Sequence, residues 1–150
     1  MRVRKVAIGA VSMLALGASV AEAQPTTTPA KTVQLPRAPG LECSVSAFGP
    51  SFEFVNRFII MTYAGGTSCA GGRGVKTLRT WVEVQTPPPR HFIRITGTLR
   101  QINGVTANPV RISVRRQAFL GHGYRVVSQS TVQLNGVAVS ATVAGNALAP

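Results

Sequence analysis

From residue 41 to the C-terminus, apolar side chains recur at every second position in short runs, and glycine, proline or asparagine separates the runs. That is the period of a strand with one buried face, because successive side chains of an extended chain point to opposite sides. Over residues 91–102, Ile93, Ile95 and Leu99 share one parity, and Arg94, Thr96, Thr98 and Arg100 share the other. Residues 110–115 repeat the scheme, with Val110, Ile112 and Val114 set against Arg111, Ser113 and Arg115. Residues 41–48, 75–85, 124–134 and 137–143 read as further strands. Residues 51–63 are apolar on both parities and predict a central strand covered on both faces, bulged near Asn56-Arg57. After residue 23 no stretch carries a helical period.

The turns support the same class. Asn135-Gly136 between two alternating runs predicts a type I′ hairpin, whose two central residues both need positive φ. Asn103-Gly104 sits in a similar context, Gln-Ile-Asn-Gly-Val against Gln-Leu-Asn-Gly-Val, and predicts a second hairpin. Pro87-Pro88-Pro89 predicts a rigid connection, since no central strand tolerates it. About seven short strands joined in this way specify an all-β fold. The expected architecture is an antiparallel β-sandwich, immunoglobulin-like in outline, with a small β-barrel as the alternative. The order Cys43, Cys69, Trp81 departs from the Cys, Trp, Cys order of a true immunoglobulin domain. Cys69 reads as part of a glycine-rich loop.

The N-terminus bears on compartment. Arg2, Arg4 and Lys5 precede an uncharged run over residues 6–20, followed by Ala21-Glu22-Ala23. A basic segment, a short apolar segment and small residues before the cut predict a signal peptide over residues 1–23. The run is short of the roughly 20 residues a spanning helix needs, although an uncleaved anchor is the alternative. Residues 24–40 hold four prolines and four threonines and predict a flexible leader. Residues 41–150 then form a single β domain. Export makes one disulfide, Cys43–Cys69, the expected fate of the two cysteines. The expected location is secreted, periplasmic or cell-envelope, with no transmembrane segment once the signal is removed.

Catalytic chemistry has little to draw on. Beyond residue 23 the chain holds three glutamates (Glu42, Glu53, Glu83), no aspartate and two histidines, His91 and His122. The glycine-rich stretch Gly65-Gly66-Thr67-Ser68-Cys69-Ala70-Gly71-Gly72-Arg73-Gly74-Val75-Lys76 is not a Walker loop, because Val75 separates glycine from lysine. No G-x-S-x-G elbow occurs. The sequence points to no catalytic residue, no cofactor and no metal site. A small extracellular hydrolase built on a histidine, a serine and a glutamate is the alternative reading. A structural or protein-binding module is a third.

Charge gives the leading reading. The exported part carries 13 lysines and arginines against those three glutamates, and 11 of the 13 are arginines. Arginine's planar fork suits phosphate and carboxylate. Arg94, Arg100, Arg111 and Arg115 fall on polar parities, and if their strands pair they form one anion-binding patch. The solvated face of a basic chain is the plainer account. Trp81 shares a parity with Arg79 and Glu83. A core position is the commoner one for tryptophan, and an exposed platform for a sugar or base is the alternative. Single-strand nucleic-acid binders interleave aromatics with cations; only Phe92 does so here, so specific nucleic-acid binding is not expected. At Tyr63-Ala-Gly-Gly-Thr-Ser-Cys69 through Trp81-Val-Glu-Val84, and at Asn108-Pro-Val and Leu120-Gly-His-Gly-Tyr-Arg125, the chain resembles small exported bacterial proteins of no assigned activity. The resemblance implies secretion and a β fold, and no site residues. The function expected is a non-catalytic, secreted or envelope-associated binding module. Its basic face would meet an anionic envelope polymer or lipid headgroup.

Overall fold

The computed structural model describes residues 31–88 and 91–150. The proposed signal peptide and residues 24–30 of the leader lie outside the described residues. Nine strands occur among the described residues: β1 (Lys31–Gln34), β2 (Cys43–Val55), β3 (Phe58–Cys69), β4 (Val75–Gln85), β5 (Phe92–Arg94), β6 (Arg100–Val105), β7 (Val110–Ala118), β8 (Tyr124–Leu134) and β9 (Val137–Ala144). They form two antiparallel sheets that pack face to face as a β-sandwich, and no barrel closes. One sheet runs β1-β2-β3-β7; the other runs β5-β4-β8-β9, with β6 beside β5 on the same edge of β4. The chain changes sheets between β3 and β4, β6 and β7, and β7 and β8, the Greek-key habit of immunoglobulin-like sandwiches. At the start of β8, the Tyr124 hydroxyl accepts from Phe119 N at 3.0 Å and donates to Phe119 O at 3.2 Å. This bond back to the preceding corner is the tyrosine corner of that class. No helix among the described residues is long and apolar enough to cross a membrane.

The inward parities supply the core. Val45, Met61, Tyr63, Leu78, Val82, Val126, Val132 and Val143 are all essentially inaccessible to solvent. Each fully buried Val, Leu or Met stabilises the fold by roughly 1.5–3 kcal/mol relative to exposure. The Cys43–Cys69 disulfide is present and joins directly opposed residues of β2 and β3. Cys69 is thus the last residue of a strand and not part of a loop.

Three other expectations are corrected. Residues 51–63 are not one strand. The chain reverses at Asn56 and Arg57, whose φ values of 47° and 73° make a two-residue hairpin turn. The apolar residues on both parities belong to two antiparallel strands. Asn103-Gly104 is not a hairpin either. β6 runs through it along β4, and the extra residue is absorbed as a bulge opposite Lys76–Leu78, with Gly104 at φ 65°. The leader becomes structured sooner than expected, because Lys31–Gln34 adds β1 to the edge of β2 and Leu35 is buried. Asn135-Gly136 does form the predicted hairpin, with Leu134 opposite Val137.

The glycines of β3 explain why the glycine-rich stretch is strand. A Cβ on Gly65 would lie 2.5 Å from Ser128 Oγ and 2.8 Å from Thr80 Oγ1 on the opposing sheet. Thr80 Oγ1 and Ser128 Oγ are 3.0 Å apart, and Thr80 also donates to Val127 O at 3.1 Å. Gly65 therefore lets two hydrogen-bonded hydroxyls approach the backbone of the facing sheet. On the outer side a Cβ on Gly66 would meet the Phe48 ring at 3.1 Å.

Gly65→Ala is expected to lower the unfolding free energy by about 1–3 kcal/mol, the usual effect of overpacking a filled interior. Urea denaturation followed by tryptophan fluorescence reads this directly. Replacing both cysteines by serine is expected to remove roughly 3–4 kcal/mol, the chain-entropy value for closing a loop of this size. A loss well under about 1 kcal/mol on the same measurement would mean that the unfolded chain is already constrained without the bond.

Candidate functional site

The four arginines expected to form one patch do not meet. Arg94, on β5, stands opposite Glu83 on the outer face of the second sheet. Arg100, on β6, stands opposite core-facing Thr80, and its Nη1 donates to Gly97 O at 3.1 Å and Leu99 O at 3.0 Å. Arg111 and Arg115 lie on β7, in the first sheet. The cause is local. The chain turns at Gly97, with φ 77°, and Thr98 is drawn fully inside. Its Oγ1 accepts from Val82 N at 3.2 Å and donates to Ile95 O at 2.7 Å, while Ile95 N donates to Val82 O at 2.9 Å. A side chain thus takes a backbone place on the edge of β4, and the parity on either side of it no longer matches.

On the first sheet's outer face the cations are already engaged. Arg111 lies 4.6 Å from the Phe48 ring centroid, above side-chain-free Gly66. Arg115 makes an ion pair with Glu53.

The second sheet's outer face is different. Arg79, Trp81 and Glu83 alternate along β4, and Gln129, Val127 and Arg125 stand opposite them on β8. Trp81 is half-buried on this outer face and is absent from the core, which corrects the expectation of a core tryptophan and leaves the platform alternative. Its Nε1 donates to Glu83 Oε1 at 3.1 Å. Arg125 holds the other oxygen, with Nη2 and Nε each 2.7 Å from Glu83 Oε2. The Arg125 guanidinium also stacks 3.8 Å from the Phe92 centroid. One carboxylate therefore orders the indole and one arginine, while Arg79 and Arg94 form no ion pair among the described residues. Arg79 borders a polar depression of about 240 Å³ with Thr77, Gln129 and Thr131. The shared parity of Arg79 and Trp81 signals this face in the sequence. Arg125 was missed because its alternation does not reveal that β8 pairs with β4.

The residues considered for catalysis are dispersed. Glu53 and Glu83 project from opposite outer faces of the sandwich, so they share no cleft. His91 lies in the β4–β5 connection, where its backbone N–H donates to Thr86 Oγ1 at 3.2 Å. His122 is exposed and edge-on to Tyr124 at 6.3 Å. No cluster of three metal-ligating side chains occurs among the described residues. No protein-family model, curated protein or solved structure matches the chain.

Lys76, next to the glycine-rich turn, is fully buried on the inward parity of β4. Its Nζ donates to Gly74 O at 3.2 Å, Thr106 O at 3.4 Å and Gly72 O at 3.5 Å. The ammonium thus ties that turn to the segment after β6 and forms no ion pair among the described residues. Burial lowers its pKa below the usual 10.5. Burial raises the Tyr63 phenol above 10.0, an effect opposed in part by Arg100 and Arg116. The signs are opposite. The unfolded chain holds the Lys76 proton more tightly, so stability rises as pH climbs through the folded Lys76 pKa toward 10.5. The Tyr63 contribution is complete below 10.0 and is lost as pH rises through its folded pKa. In urea midpoints measured from about pH 7 to about pH 11, Lys76→Met is expected to remove the alkaline rise and leave only the fall. Tyr63→Phe is expected to do the reverse.

Proposed function

We propose that this protein is a non-catalytic binding module, working outside the cytoplasm, that holds an anionic envelope polymer on the outer face of β5-β4-β8-β9. One observation carries the reading: Trp81 faces outward in a row with Arg79, and its ring is fixed by Glu83 beside the Arg125–Phe92 stack. An indole held in this way offers a flat apolar surface to a sugar ring. Arg79 and Arg94 supply charge for the carboxylate, sulfate or phosphate groups of an acidic glycan. Thr77, Gln129 and Thr131 add donors and acceptors suited to hydroxyls. Twelve cationic side chains among the described residues face three glutamates, so the long-range field favours a polyanion whatever its fine contacts.

Trp81 is the only tryptophan and therefore reports on its own site. An acidic oligosaccharide, with heparin fragments as the probe, is expected to change its fluorescence and to bind more weakly as salt rises. Arg79→Gln and Arg94→Gln are each expected to lower the slope of log affinity against log salt by roughly one. Arg111→Gln and Arg115→Gln are expected to leave that slope nearly unchanged. Equal losses from all four substitutions, with fluorescence unaltered, would show a merely diffuse attraction and sink the proposal.

A further inference from the structure

At the edge of the sandwich between β5 and β7 the two sheets part around a cavity of about 330 Å³. That volume lies at the lower end of the range of small-molecule sites, roughly 300–1,000 Å³. Its inner wall is apolar, formed by Met61, Val84, Ile95 and Tyr124. Arg116 lies on the core-facing parity of β7, opposite Met61, and lines the same cavity. Glu53 and Glu83, both in ion pairs, engage Arg115 and Arg125, and Arg116 forms no ion pair among the described residues. At the mouth, Ile93 is 54% and Phe119 64% exposed, and Leu120 beside it is 65% exposed, so apolar surface continues outward.

We infer that this cavity binds a single-chain amphiphile with an acidic head, of the fatty-carboxylate class. The tail lies along Met61, Val84 and Ile95, and the carboxylate meets the Arg116 guanidinium. Two features favour a small ligand over a flat partner. The site is concave, and its outer wall is fixed: Tyr124 holds Phe119 through both N–H and C=O, and Gln85 N donates to Gly123 O at 2.8 Å. A preformed wall spares the ligand the cost of ordering a loop. A guanidinium against apolar surface also prefers a carboxylate to water more strongly than an exposed arginine does.

The test is calorimetric titration of the full chain with a series of straight-chain carboxylates centred on dodecanoate, below micelle formation, with dodecanol as the uncharged control. Affinity is expected to rise about fourfold per added methylene, the ratio set by the free energy of burying one, and then level off once the cavity is filled. Dodecanol is expected to bind at least about tenfold more weakly, as for loss of a charge-assisted hydrogen bond. Arg116→Met is expected to abolish the difference between acid and alcohol, and Arg116→Lys to restore part of it. Ile93→Trp, at a half-exposed rim position, is expected to block both ligands. Trp81→Ala is expected to leave dodecanoate binding intact, which separates this site from the proposed polymer face. The inference is overturned by affinity independent of chain length or by an unchanged preference for acid in Arg116→Met. Binding seen only to vesicles of phosphatidylglycerol would likewise overturn it in favour of a membrane surface.

Discussion

Contact between the two sheets at Gly65 depends on a missing side chain. Gly65 faces Thr80 and Ser128, and any Cβ there would fall inside the contact distance of both hydroxyls. Those hydroxyls bond each other, and Thr80 also donates to the Val127 carbonyl, so a polar pair is buried with hydrogen-bond partners supplied by the protein itself. The approach also fixes the neighbouring geometry. Tyr63, two residues before Gly65 and on the same face, reaches across to donate to Thr98 O at 2.7 Å. Thr98 in turn completes the edge of β4. The break between β5 and β6, and with it the separation of Arg94 from Arg100, follows from packing at the centre of the sandwich.

Scarcity of carboxylates shapes the surface in the same way. With so few acids, each glutamate that pairs has a large local effect. Glu53 occupies Arg115 on one outer face. Glu83 orders both Trp81 and Arg125 on the other. The exposed Arg115–Glu53 pair contributes little to stability, roughly 0–1 kcal/mol, whereas the Arg125–Glu83 pair is largely buried. Their larger consequence is to decide which arginines remain available. Arg79 and Arg94 remain so on a sheet face beside a fixed aromatic ring, and Arg116 against an apolar cavity.

Much of the fold was legible because it rests on parity. The period-two runs identified the all-β class, the strands from β7 onward and the Asn135-Gly136 hairpin, where sequence and backbone demand agree. The failures share one physical origin. Asn56-Arg57 turns the chain without a glycine, so the usual mark of positive φ was missing. Asn103-Gly104 carries that mark but spends it on a bulge. Gly65-Gly66 look like loop residues and instead serve the interior and the Phe48 stack. In each case the role of a residue was set by what lies across from it, and pairing between distant strands is not written in local pattern. The arginine patch failed for this reason, whereas Arg79 and Trp81, two residues apart on one strand, kept the relation that the sequence implied.

The two binding regions proposed here therefore differ in what makes them possible. The outer face of β4 and β8 is built from side chains that point away from the core, so it needs only correct strand pairing and a flat, twisted sheet. The cavity needs a local failure of packing. Beside Glu83–Gln85 the second sheet is edged by a strand of only three residues, β5, while the β2–β3 hairpin leaves Phe54 71% exposed. A sandwich whose layers are unequal in length cannot bury both ends equally. Apolar surface left uncovered at such an end is costly in water unless something fills it. Arg116 lies on the buried parity of β7 at that end, where a chain selected only for a closed core would carry a leucine or a valine.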